Sequence, residues 1–542
     1  MPRLRANADI YDDWHFTKAG LNLSAGYGRQ PVVQMQSGEY YRTTREGVNV
    51  RTMEAATGRD RGASRPGVSK WLPVQVLGRQ WIVQEIQPVT VIRTPDEDND
   101  VQNSQSGRLV YLVAVSRGRV FSALPGDETW IEAVNNTGET PALAITGTMF
   151  SAANNQRLYF ADGYNRVYFN PATGTVERWA ATAGSLPEDS DENYPRLICT
   201  WRGRTVQSGL IEDPQNWFMS AVSDPHNYDY EPVSPSATQA VAGNNSSLGF
   251  IGDAVMCLIP YSDDVLIFGG DHTIYMMRGD PMGGGQIDLI SDSIGMAFGQ
   301  PWCKDPIGTV YFLSNRTGIY SLIPGSAPVR ISQAIETALE AVNTGTNSIR
   351  MAWDDRFQGF HVFITPLVAP KATTHYFYEA RTGAWWQDRF TDKLMDPLCC
   401  TVMDGNEPND RVTLIGCWDG YVRAIDPTAA TDDGRKIESS VVIGPILTAN
   451  LEEMLLKDMQ AVLGESSGDV LFEVFVGSTA EKALTQRPVY SGTWTAGRNH
   501  TTGIRRAGHA IYVRLSSTSA WAIESIRARI SGTGLVRMRA KG

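Results

Sequence analysis

The chain reads as all-β, a β-propeller with an additional β-sandwich or platform domain formed by the terminal regions, and three observations carry that reading. Across residues 108–435 apolar residues alternate with a period of two, short apolar runs are paired around tight Gly, Asn and Asp turns, and about seven such pairs follow in series. A hairpin cannot bury its own face. Small antiparallel sheets packed radially solve that problem and leave only short edges exposed. The units recur at irregular intervals, no blade signature repeats, and Trp418-Asp419 is not enough for a WD repeat, so a multi-sheet sandwich is the alternative.

The first pair is 109–115 and 120–121 around Arg117-Gly118; the second, 158–160 and 167–169 around Asp162-Gly163, with a further run to Trp179. The third is 197–201 and 205–208 around Arg202-Gly203, and the fourth is 255–259, 265–268 and 274–277. Then come 310–313 with 319–320, 360–364 with 375–378 and 384–386, and 412–417 with 421–425. Helix is scarce. Residues 332–339 space their apolar side chains helically after Ser332, and Asn450 with Glu453 reads as a capping box for a helix over 451–463. Beyond 468 the pattern is β again, at 470–476, 510–515 and 521–526, strands that suit a compact sandwich distinct from the propeller. The division expected is 1–70, a basic docking or platform segment; 71–435, the propeller; and 436–542, the C-terminal sandwich.

The 542 residues carry 48 Lys+Arg against 59 Asp+Glu, a formal charge of -11, and at 42% hydrophobic they can bury a substantial core. Both ends are basic, +4 over 1–70 and +7 over 501–542, which leaves -22 on the middle. Such a surface repels a phosphate backbone instead of neutralising it. Only nine of the 48 cations are Lys, so positive charge sits on the side chain suited to fixed bidentate contacts. The start lacks a secretion signal's apolar core and no apolar run nears the ~20 residues of a bilayer span, so a soluble chain without a membrane span is expected. Six scattered cysteines without C-x-x-C spacing read as buried reduced thiols.

Motifs for chemistry are mostly missing. Asp96-Glu97-Asp98-Asn99-Asp100 alternates carboxylates as a calcium loop does, but Val101 and Gly107 stand where the turn Gly and bidentate Glu belong. Gly283-Gly284-Gly285 is not followed by the Lys-Ser/Thr of a P-loop, and the seven histidines show no metal spacing. Arg278-Gly279-Asp280 reads as a turn, and residues 281–300 as either a gate or a long connection. Gly126-Asp127-Glu128-Thr129-Trp130 is similar to part of a sialidase Asp-box but lacks its Ser and second Gly. Neither a catalytic residue, a cofactor nor a metal is expected.

Glu46-Gly47-Val48-Asn49-Val50-Arg51-Thr52, with Thr57-Gly58-Arg59-Asp60-Arg61-Gly62-Ala63-Ser64-Arg65-Pro66-Gly67, resembles the N-terminal signature of tail nozzle (tail tubular protein B-like) proteins of short-tailed bacteriophages, and Gly20-Leu21-Asn22 fits the same opening. Asp213-Pro214-Gln215-Asn216-Trp217-Phe218-Met219-Ser220 and Asp224-Pro225-His226-Asn227-Tyr228-Asp229 are similar to a phrase common in that family. Gly508, Tyr512-Val513-Arg514, Trp521 and Gly532-Thr533-Gly534 resemble its terminal sandwich. The resemblance implies a structural virion protein of the tail, assembled in the host cytoplasm as a homo-oligomeric ring, a hexamer. It implies docking to a tail adaptor and to tail fibres around a channel that passes genomic DNA without specific binding. Arg59, Arg61 and Arg65 are the expected subunit or adaptor contact, with an intrachain brace to the C-terminal sandwich as the alternative. The competing function is a host-surface glycan-binding or glycan-degrading propeller, motivated by 14 Trp and 20 Tyr.

Overall fold

Seven four-stranded antiparallel units, some extended by further strands, follow one another along the chain, and the last is completed by a strand that precedes the first. The computed structural model describes residues 10–13, 19–25, 32–34, 40–92, 108–135, 143–316, 318–405, 411–447 and 452–533. The acidic run at Asp96, together with Gly107, Asn450, Leu451 and Gly534, lies outside them.

Blade 1 comprises Val83–Ile92, Arg108–Ser116, Arg119–Ala123 and Ile131–Glu132; blade 2, Phe150–Asn154, Arg157–Ala161, Val167–Asn170 and Thr175–Arg178. Blade 3 is Leu197–Trp201, Arg204–Ser208, Trp217–Met219 and Val241–Ala242; blade 4 is Val255–Ser262, Val265–Gly270, Ile274–Arg278 and Gln286–Ser291. Blade 5 is Trp302–Lys304, Val310–Leu313, Ile319–Leu322 and Val329–Arg330; blade 6 is Asn347–Asp354, Gly359–Pro366, His375–Glu379 and Ala384–Asp388. Blade 7 takes Pro397–Met403, Val412–Cys417 and Val422–Asp426, and its fourth strand is Gly67–Lys70. The leading strand of blade 7 packs on that of blade 1, which closes the circle. The fold is a seven-bladed propeller. Gly67 is required at the closure, since a Cβ there would lie 2.0 Å from the Thr431 carbonyl oxygen.

The cores lie between blades. Val83, Ile86 and Leu112 of blade 1 meet Cys399, Met403 and Leu414 of blade 7, while Val115 and Val120 face Leu158 and Phe169 of blade 2. Trp179, Trp217 and Phe268 anchor a cluster shared by blades 2 to 4. Each buried indole contributes roughly 4–6 kcal/mol of transfer free energy as an upper bound. All six cysteines are buried and free, as the sequence leads one to expect. Residues 281–300 are neither a gate nor a bare connection: they supply the outermost strand of blade 4, and Met296 is fully buried in the core that blades 4 and 5 share.

The terminal regions do not form a sandwich apart from the propeller. Blade 6 continues outward from Ala384–Asp388 through Gly47–Val48, Ser439–Ile446, Ala510–Ser517, Val470–Gly477 and Tyr490–Trp494, one sheet of nine strands. A second sheet, Ile10–Asp13, Ile523–Gly532 and Met454–Leu463 with Gly497–Arg498 and Thr502–Gly508 at its far edge, covers its inner face. Phe472, Val474, Val513 and Leu515 pack there on Leu456, Met459, Ile526 and Ala528. On the other face the helix Ala480–Thr485, capped by the Thr479 hydroxyl, covers Phe475 and Tyr512.

Two local expectations fail. Met454–Leu463 is a strand, not a helix; the register shift between Leu456 and Asp458 breaks its alternation, so its apolar spacing mimics a helical one. The helical stretch after Ser332 is a 3₁₀ turn at Gln333–Ile335 with only Glu336–Leu339 as α-helix. The Ser332 hydroxyl does not cap it and instead accepts the Ile319 amide across 2.8 Å.

Candidate functional site

The segment that carries the three expected arginines runs through the junction of propeller and terminal module, and its side chains divide by position. Arg65 is buried: its guanidinium meets Asp432 in bidentate fashion at 2.8 and 2.7 Å and donates to the carbonyls of Pro66 and Arg389. Burial alone would lower its pKa, but Asp432 holds it above the usual value. Arg61 donates to Glu54 at 2.8 Å and, at 2.6 Å, to Glu524 on the second sheet. Arg61 thus reaches the C-terminal sheet, whereas Arg65 pairs within the sheet of blade 7. Arg59 is exposed, and its backbone carbonyl accepts the Glu54 and Arg61 amides.

Asn49 organises the site. It adopts a left-handed backbone (φ 56) that Asn tolerates better than most side chains. Its Oδ1 accepts from Arg65 Nε and the Arg389 amide, and its Nδ2 donates to the Glu438 carbonyl at 2.7 Å. Two residues on, Arg51 grips Asp388 with two bonds of 2.7 and 2.6 Å and lies 4.3 Å over the Phe377 ring. Burial would raise Asp388, but Arg51 and then Arg65 hold it below the carboxylate range. His361 sits between Asp354 and Asp388, 4.0 Å from each, and burial pushes it down to about 4, so the ring is neutral at pH 7. The motif thus ties blade 6, blade 7 and the terminal module together through charge-assisted forks. Sequence reading missed the acceptors Asp388 and Asp432 because they lie more than 300 residues away. Beside this clamp opens a hollow of about 830 Å³ whose lining includes Arg389, Phe390, Thr391, Ser440, Leu471 and Ser516.

The second phrase is structural as well. Asn216 Nδ2 donates to Asp213 at 2.7 Å and its carbonyl accepts the Ser208 hydroxyl, which seats the fully buried Trp217. His226 packs edge-on to Tyr159 and Tyr168, and one of its ring nitrogens lies 2.8 Å from the Ala180 carbonyl oxygen.

A second candidate lies at the propeller axis. Arg350 of blade 6 reaches across to Glu85 of blade 1 at 3.0 Å and also donates to Gln300 and the Met149 carbonyl. Burial pushes Glu85 up to about 6, against the pull of Arg350, while Ser151 donates to its other oxygen. Next to this pair is a cavity of about 300 Å³ lined by Gln87, Phe150, Ser151, Thr200, Gln300 and Trp302, among others. Trp302 packs from this lining against the core shared by blades 4 and 5. Among the described residues no group of three or more His, Cys, Asp or Glu is placed to hold a metal ion, and no helix is long and apolar enough to cross a membrane.

No protein-family model matches the chain, and no curated protein matches it in sequence. Solved structures do. The extracellular domain of BT4673 from B. thetaiotaomicron matches with a TM-score of 0.42 at 9% identity over 83% of this chain and 57% of that one. YCF48 bound to D1 peptide gives 0.39 at 11% identity, over 67% of this chain and 96% of its own. PorZ, a surface component of the type-IX secretion system of Porphyromonas gingivalis, gives 0.39 at 12%, over 76% and 57%. The chain thus spans a little over half the length of the BT4673 domain. All three scores lie below 0.5, too low for these likenesses to bear on function.

Proposed function

We propose that this chain is a wall subunit of a bacteriophage tail nozzle, a non-catalytic ring of identical copies below a tail adaptor through which the genome leaves. The observation that carries the reading is the nine-stranded sheet that joins propeller and terminal module, locked by Arg51–Asp388 and Arg65–Asp432. It makes two modules into one stiff block. The N-terminal and C-terminal residues of the family resemblance build this block, while the phrase over 213–229 lies at blade 3. The bore of such a ring runs between copies, because the Arg350–Glu85 pair occupies the axis within each propeller. Excess negative charge in the middle of the chain keeps a passing polyanion from adhering. Arg59, exposed beside the clamp, is the member of the arginine trio left to meet a neighbouring copy or the adaptor. Negative-stain imaging of the purified protein, alone and with its adaptor, is expected to show rings with a central hole. Strictly single particles in both conditions count against the reading, and Arg59→Glu is expected to reduce ring yield without lowering the melting temperature.

A second reading, a propeller that binds host-surface glycans, is favoured by the axial cavity, where aromatic and amide side chains converge. Binding of the purified protein to a glycan array tests it.

A further inference from the structure

We propose that the axial cavity binds one neutral hexopyranose unit, free or as the terminal residue of a glycan. The inference rests on the glycan-binding reading and gives it a site. Charge sets the ligand class first. The Arg350 guanidinium is already matched by Glu85, Gln300 and the Met149 carbonyl, so the cavity has no spare cation to recruit a carboxylate or phosphate. Polarity narrows it further. Gln87 and Gln300 bring amides from blades 1 and 5, and the Gln300 oxygen is held by Arg350, which turns its NH₂ to donate. The hydroxyls of Ser151 and Thr200 donate to Glu85 and to the Ala153 carbonyl, leaving oxygens that accept. Vicinal sugar hydroxyls, each both donor and acceptor, complement such a set.

The aromatic lining supplies the apolar half. One face of Phe150 lies under Arg350 at 4.6 Å, so the indole of Trp302 is the surface left for the C–H face of a ring. The innermost strands bond on one side only, so alternate backbone groups also face the axis. The volume of about 300 Å³ is at the small end of ligand pockets, which fits one pyranose and a few waters but not a chain of sugars.

Saturation-transfer NMR on the full chain with the methyl glycosides of glucose, galactose, mannose and N-acetylglucosamine provides the test, alongside the glycan array. Transfer to at least one glycoside is expected. Trp302→Ala, which removes the ring surface, and Gln87→Leu, which removes one amide, are each expected to weaken binding about tenfold, the scale of one lost contact, with unchanged circular dichroism. Array binding that falls in both variants, even without transfer to the free glycosides, supports a terminal sugar as the source. Transfer without array binding supports a free sugar and sinks the host-surface reading alone. Array binding or transfer that both variants leave intact overturns the axial site while the glycan reading stands. Absence of both signals overturns the two together.

Discussion

At the residue scale, the clamp converts a sequence motif into stability. Arg51, Arg65, Asp388 and Asp432 are all nearly fully buried, so removing one partner leaves a charge with no water and no counterion. Arg65→Ala or Asp432→Ala is expected to cost about 3–5 kcal/mol, read as a shift in the urea midpoint at constant slope. Arg61→Ala is expected to cost less, about 1–3 kcal/mol, because Glu524 is half exposed although Glu54 is mostly buried; a larger loss for Arg61 than for Arg65 contradicts the assignment of the clamp. Two buried groups give the protein opposing pH dependences. Burial lowers His361 from 6.5 to about 4. Between those values the unfolded chain binds a proton that the folded chain refuses, so stability present above pH 6.5 is lost as pH falls, by up to about 3 kcal/mol. Burial raises Glu85 from 4.5 to about 6. There the folded chain keeps a proton the unfolded chain has released, so stability present below pH 4.5 is lost as pH rises to 6, by about 2 kcal/mol. His361→Gln is expected to remove the acid-side loss and Glu85→Gln the opposite slope, in melts taken from pH 4 to 7. A parent-like slope in His361→Gln contradicts a histidine origin for the acid-side loss. The arginines of this site were visible in the sequence as a cluster between glycines. Their roles were not, since nothing local marks Asp432 as the partner of Arg65, and only burial distinguishes Arg65 from Arg59.

At the scale of elements, legibility followed alternation. The outer hairpins, with runs such as Val310–Leu313 and Val412–Cys417, read correctly because their turns carry Gly, Asn or Asp and their flanks are apolar. The leading strands of blades 1, 2, 5, 6 and 7 were missed, whereas those of blades 3 and 4, Leu197–Trp201 and Val255–Ser262, were read. Phe150–Asn154 is mostly small and polar, Val83–Ile92 contains Pro88 and the buried Glu85, and Asn347–Asp354 contains Arg350. They line the axis, where space is short and polar side chains find partners across the ring, so their patterns depart from that of half-buried strands. The closing strand Gly67–Lys70 was equally hidden, because its partner Val422–Asp426 comes some 350 residues later. Its importance is testable. Gly67→Val places side-chain atoms in the Thr431 backbone and is expected to destabilise the protein by about 2 kcal/mol or more, detected as a lower melting temperature and faster proteolysis. Wild-type behaviour of this variant contradicts the closure.

At the scale of the molecule, propeller and terminal module share a sheet and one apolar cluster that runs from Phe360 and Trp386 to Phe472 and Ile526. They are therefore expected to unfold together, as one calorimetric transition. Two separated transitions contradict the joint sheet. The same continuity gives the tail-nozzle reading its mechanical sense, since force or pressure on one module passes to the other through hydrogen-bonded strands and buried ion pairs instead of a linker. The most direct test is a cryo-EM map of the chain assembled with its adaptor. The expected result is a central hole bounded by several copies, with each propeller axis closed by Arg350 and Glu85. A map of isolated single copies, or a passage that runs along the axis of one propeller, contradicts the account.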